Sequence, residues 1–145
     1  MKNVREIYRE LGEHAFYELT ARFYEGVAGD PVLRPLYPEE DLRPARRRLA
    51  LFLIQFFGGP ATYSEERGHP RLRARHMAFP IGLKERDAWL THMDKALGSL
   101  PAGEETKEAM RRYFRDAATF LMNQNMLGAA GGAQKAPPRS RDATP

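Results

Sequence analysis

Between Pro44 and Phe57 the chain is apolar almost all the way round a helix, and no other feature restricts its fold as much. Leu49, Phe52, Leu53 and Phe56 recur at i, i+3, i+4 and i+7, while Leu51, Ile54 and Phe57 fill the remaining directions. A helix without a polar side is stable only when other elements cover it, so this one has to be central. Three further stretches carry the faces to cover it. Glu13 to Ala28 places Phe16, Leu19, Phe23 and Val27 at helical spacing, with Tyr17, Tyr24 and Ala28 on the neighbouring stripe. Leu83 to Leu100 aligns Trp89, Met93, Ala96 and Leu100, and Glu104 to Met126 aligns Met110, Phe114, Ala117 and Leu121. Neither strand alternation nor an internal repeat occurs. The expected fold is all-α, two long antiparallel helix pairs packed across one another.

Breaks separate these helices. Gly29-Asp30-Pro31 ends the first, and in the connector Leu36 to Leu42 the proline at 38 restricts Tyr37 to extended geometry, placing it on a corner. Gly58-Gly59-Pro60 ends the central helix, and a connector then leads to a short helix carrying His76. The 145 residues make one domain, expected over 1–127, and a tail over 128–145. That tail is rich in Gly, Ala, Pro and basic residues without an apolar period, and is expected to be disordered. It holds about half of the formal net charge of +4. No apolar run approaches the roughly 20 residues of a membrane span, and the first residues lack the apolar region of a signal peptide, so a cytoplasmic protein without membrane contact is expected. The absence of cysteine excludes disulfides, iron–sulfur clusters, thiolate-ligated haem and thiolate zinc sites. Histidine and carboxylate remain as metal ligands.

The segment Arg67 to Ile81, followed by Arg86-Asp87-Ala88-Trp89-Leu90, carries the chemistry. His76 lies one helical turn beyond Leu72, so both side chains leave the same side of a short helix, which Gly68 and a first-turn Pro70 are expected to start. Thirteen residues later stands the only tryptophan. Neutral imidazole is a good single axial ligand for iron, and an apolar helical pocket holding one inward imidazole and one indole reads as a haem site. His14, His69 and His92 have no HExxH spacing and read as surface or hydrogen-bonding residues, His69 being placed to cap a helix or meet a haem propionate. Two arginine strips, Arg43 with Arg46 to Arg48 and Arg67 with Arg71, Arg73 and Arg75, suit nucleic acid or the carboxylates of haem. The alternative to a haem protein is therefore a small basic all-α nucleic-acid-binding protein. That reading needs an exposed recognition helix, whereas Arg46 to Arg48 head the most apolar helix of the chain.

Taken in order, Arg22-Phe23-Tyr24, Leu36-Tyr37-Pro38-Glu39-Glu40-Asp41-Leu42, Phe57-Gly58-Gly59-Pro60, Tyr63-Ser64-Glu65, Gly68-His69-Pro70, Leu72, Arg75-His76 and the Arg86 to Leu90 segment resemble the group II truncated haemoglobins, over roughly residues 8 to 125. The resemblance implies a globin-like, two-over-two helical sandwich around non-covalent haem b. It implies His76 as the proximal iron ligand and a distal pocket of Tyr24, Tyr37 and Trp89, with Leu49 and Ala45 lining its helix. The small Ala45 side chain would leave an open path to the distal side. Arg48 and Arg75 are expected to meet haem propionates, Tyr63 is a weaker candidate for the same task, and Phe52 is expected against the cofactor. Oxygen, carbon monoxide, nitric oxide or peroxide would bind at ferrous iron, in the absence of nucleic acid, in a monomer or homodimer served by a reductase. Three distal donors imply slow release, which favours sensing, scavenging or redox chemistry over simple delivery. No distal histidine or carboxylate base is evident, so peroxidase or nitric oxide dioxygenase activity would be ancillary. The chain departs from the family pattern at Ala78-Phe79-Pro80, where relatives often carry proline just before the phenylalanine, and in its basic tail.

Overall fold

The computed structural model describes residues 2–123, and every regular element among them is helical. We label the helices α1 (Ile7–Leu11), α2 (Glu13–Ala28), α3 (Arg43–Phe56), α4 (Thr62–Arg67), α5 (Leu72–His76), α6 (Leu83–Gly98) and α7 (Glu104–Phe120); short 3-10 turns cover Val4–Glu6 and Arg34–Leu36. The tail expected over 128–145, and the last residues of the helix expected to reach Met126, lie outside the described residues.

The central position of α3 follows from its sequence. Ala45, Leu49, Ala50, Leu51, Leu53 and Ile54 are all buried, and Pro44 occupies the first turn, where a missing N–H costs no bond. α2 packs on α3 and on α6, and α6 packs on α7, which gives the two layers. The α6/α7 pair is antiparallel: Arg86 donates to the Thr119 hydroxyl at one end and Lys107 to the Gly98 carbonyl at the other. Ring contacts join the layers, Phe23 of α2 meeting Trp89 at 4.9 Å between centroids and Trp89 meeting Phe114 of α7 at 5.7 Å. Gly58 has a φ of 105°, and any side chain there would run into the Arg5 carbonyl. The glycine thus lets the end of α3 close against the N-terminal segment, where the Tyr8 N–H donates to the Phe57 carbonyl.

Three elements differ from the sequence expectation. α4 stands where a plain connector was expected, because the Gln55 amide of α3 accepts from the Ser64 N–H and donates to the Ser64 hydroxyl. α5 starts at Leu72, which leaves Pro70 outside the helix, since Arg71 is left-handed with a φ of 44°. The Arg75 guanidinium holds that approach by donating to the carbonyls of Arg67, His69 and Pro70. Finally, α7 ends at Phe120, and Asn123 turns away to pair its backbone N–H with the Ile81 carbonyl.

Candidate functional site

The helices enclose a cleft of about 900 Å³, its open mouth included, whose lining contains Tyr37, Leu49, Phe52, Tyr63, His76 and Trp89. Its mostly apolar walls are those of a cofactor site. α5 delivers His76. Its ring is buried, with Nδ1 2.6 Å from the Leu72 carbonyl oxygen, one turn back in the same helix. A carbonyl only accepts, so Nδ1 carries the proton and Nε2 keeps a lone pair. Nε2 is buried and has no partner among the described residues. Burial holds the imidazole pKa below its usual range, the Arg75 charge works in the same direction, and the Leu72 bond opposes them. The ring is therefore neutral at physiological pH.

A buried lone pair facing an apolar cleft and oriented by a backbone carbonyl is the arrangement of a metal-ligating histidine. Among the described residues no group of three or more His, Cys, Asp or Glu gathers to hold a bare ion. A metal that brings its own equatorial ligands needs only one imidazole from the protein, and the residues present fit haem in that respect.

Tyr37 reaches the cleft from the corner after α2, and Trp89 reaches it from α6. Tyr24 stands behind Tyr37, their rings edge to face at 5.4 Å. The indole N–H can only donate, and it gives to the Tyr37 hydroxyl oxygen. The two phenols are hydrogen-bonded to each other, and each hydroxyl is able to donate or accept in that bond. Burial dominates both phenols, driving Tyr24 well up and pushing Tyr37 up to about 12. Tyr37 thus accepts from Trp89 and shares a second bond with Tyr24 at the cleft wall.

Leu49, Phe52 and Tyr63 line the cleft, as do Phe79 and Ile81 of the loop after α5. Ala45 is fully buried without reaching the cleft surface. Arg48 is bonded to Glu39 at 2.6 Å, and Arg75 is occupied with the backbone ahead of α5 while lying 5.9 Å from the Tyr63 ring centroid. Of the remaining histidines, His14 is exposed, His69 Nδ1 accepts from the Arg71 N–H, and His92 pairs with Asp30. Sequence reasoning missed Leu33, Leu36, Glu85 and Tyr113 in the lining. Leu33 and Leu36 follow a proline break, where no period marks an inward face. The Glu85 carboxylate accepts from the Gly82 N–H, a helix-start signal that was legible in the spacing.

Comparison with known proteins agrees with the helical fold. The bacterial-like globin family model matches residues 6–123. Group 2 truncated haemoglobin YjbI of Bacillus subtilis is 40% identical over 117 residues, covering 81% of this chain and 88% of that protein. Two-on-two haemoglobin-3 of Arabidopsis thaliana is 32% identical over 124 residues, 83% of this chain and 71% of its own. Among solved structures, a thermostable haemoglobin from the actinobacterium Thermobifida fusca superposes with a TM-score of 0.78 at 55% identity, covering 80% of this chain and 95% of that one. A truncated oxygen-avid haemoglobin from Bacillus subtilis superposes with a TM-score of 0.76 at 40% identity, covering 80% of this chain and 98% of that one.

Proposed function

The chain belongs to the bacterial-like globin family as a truncated haemoglobin, and from that premise we propose that His76 is the proximal ligand of a non-covalently held haem b whose ligands leave slowly. The observation that carries the reading is the neutral, buried His76 ring with an unpartnered Nε2 on the cleft wall. Haem supplies reversible binding of oxygen and other diatomic molecules at ferrous iron. The chain's own residues do the rest. Leu49, Phe52, Leu53 and Phe79 line the cleft and would give the macrocycle apolar contact and keep water from it. Tyr37 offers its hydroxyl proton to a polar ligand in the cleft, while Tyr24 and Trp89 fix the direction of that hydroxyl.

A donor preoriented in a dry cavity retards the departure of oxygen, whose polarity rewards a hydrogen bond. Slow departure favours sensing, scavenging or redox chemistry over delivery. Phenols held in their protonated form are poor bases, so peroxide or nitric oxide turnover is ancillary to binding. Ferric iron does not bind oxygen, and the reading therefore includes a reductase as partner. No observation favours the nucleic-acid alternative, since Arg43, Arg47 and Arg48 of the first arginine strip are paired with Asp41, Glu66 and Glu39.

His76→Gly tests the reading. The variant should purify with little haem, and added imidazole should restore a bound ferrous spectrum by entering the space the side chain leaves. Full haem occupancy in the variant without imidazole would refute His76 as the ligand.

A further inference from the structure

The five residues of α5 cannot form a stable helix by themselves, because so short a segment never recovers the cost of nucleation. Its position has to be imposed by bonds from outside. At its front the Arg75 guanidinium gathers the carbonyls of Arg67, His69 and Pro70. At its back the bonds come from beyond α7. The Asn123 side-chain nitrogen donates to the His76 carbonyl at 3.2 Å and to the Phe79 carbonyl at 2.8 Å. Its side-chain oxygen accepts from the Ile81 N–H at 2.9 Å, and its backbone N–H donates to the Ile81 carbonyl at 2.8 Å. Arg73 adds a bond from α5 to the Phe120 carbonyl. One asparagine therefore bonds the carbonyls of His76 and Phe79 and both backbone groups of Ile81.

We propose that Asn123 is a positioning residue for His76, locking the C-terminal end of α5 to the end of α7 and so fixing the height at which the imidazole is presented. The proposal rests on the reading of His76 as the haem ligand. The His76 ring is itself pinned by Nδ1 to the Leu72 carbonyl. With Leu72 at one end and Asn123 at the other, the imidazole has no freedom to follow the metal without moving the whole segment. Loss of the lock would let α5 slide and tilt and so move the position at which His76 would hold a haem iron.

Asn123→Asp is the informative variant in the full chain loaded with haem. It keeps the size of the side chain, the acceptor for the Ile81 N–H and the backbone bond, but sets a second acceptor against the carbonyls of His76 and Phe79. Asn123→Ala removes all three side-chain bonds and serves as the stronger perturbation. Resonance Raman of the ferrous protein reads the iron–histidine stretch, transfer to an apoglobin acceptor reads haem loss, and amide exchange of residues 76–81 in the haem-free chain reads the lock without the cofactor. In Asn123→Asp the stretching band should shift and broaden, haem loss should quicken about tenfold, as for other residues that support a metal ligand, and exchange should accelerate. A merely stabilising residue would lower the melting temperature and leave the band in place, and that result, or an unchanged band with unchanged exchange, would overturn the proposal. Absence of the band in the unsubstituted protein would instead remove the assignment of His76, and the proposal with it.

Discussion

A phenol that accepts from an indole N–H still has a proton to offer, and Tyr37 is in that position on the cleft wall. Pro38 placed Tyr37 on a corner and helical spacing placed Tyr24 on a stripe, but only the resemblance to the group II truncated haemoglobins turned both rings toward a pocket. The order between them was not legible, because spacing gives the direction of a side chain and says nothing of which of two buried rings stands in front. Tyr24 acts from behind Tyr37, and this changes what its removal should do. Tyr24→Phe should quicken oxygen release severalfold by freeing the Tyr37 hydroxyl to rotate. Added to Tyr37→Phe it should change the rate hardly at all, since residues that serve one bond are not additive. Laser photolysis and stopped-flow mixing on both single variants and the double variant check this, and additive effects would show that Tyr24 meets the ligand directly.

Among the elements, the long helices were readable because 14 to 17 residues of regular apolar spacing define a face without help from context. α4 and α5 were harder for the opposite reason. The single clip between Gln55 and Ser64 makes α4, and the carbonyls gathered by Arg75 decide where α5 begins; both are tertiary, and neither leaves a local period. The contact between α2 and α6 has its own fastening. Asp30, just past α2, accepts from His92 of α6 at 2.7 Å while its other oxygen accepts from the Val32 and Leu33 N–H groups. These bonds, His92 foremost, hold the Asp30 carboxyl below the usual carboxylate range. A lowered carboxyl pKa stabilises the fold above the unfolded-state pKa, and that contribution disappears as pH falls through the folded value. Asp30→Asn should lower the melting temperature by several degrees at neutral pH, with the gap to the unsubstituted protein closing in acid. A gap that is constant down to pH 2 would show that the charge of Asp30 plays no part. Gly26 belongs to the same fastening, for a Cβ at that position would collide with the His92 ring. Gly26→Ala should therefore cost stability despite its favourable helix propensity.

At the scale of the whole molecule, two helical layers bury Tyr24 and Tyr37 and half-bury Tyr113, and burial raises the pKa of each phenol. Such groups stabilise the fold in full below the unfolded-state pKa of about 10 and lose that contribution as pH rises through their folded values. Each contributes a slope of about 1.4 kcal/mol per pH unit in that window, so chemical denaturation should show stability falling steeply above pH 10. A flat profile to pH 12 would place these hydroxyls in contact with water. The tail was read from composition as separate from the core, and it lies beyond the described residues. A chain ending at Met126 retains Asn123 and should match the full protein in melting temperature and ligand rates, measured side by side. Slower or faster oxygen release in the shortened chain would tie the tail to the site.

On the proposed reading the Tyr37 hydroxyl proton, opposite in role to the His76 lone pair, governs how long a polar ligand stays. Stopped-flow measurement of oxygen and carbon monoxide dissociation from the unsubstituted protein and from Tyr37→Phe tests it most directly. A hydrogen bond to a partly charged acceptor is worth about 1.5–3 kcal/mol, so oxygen should leave roughly ten- to a hundredfold faster from the variant. Carbon monoxide, which carries little charge to receive a proton, should change far less. Equal acceleration of both ligands, or none for oxygen, would contradict the claim and leave Tyr37 a wall of the cleft.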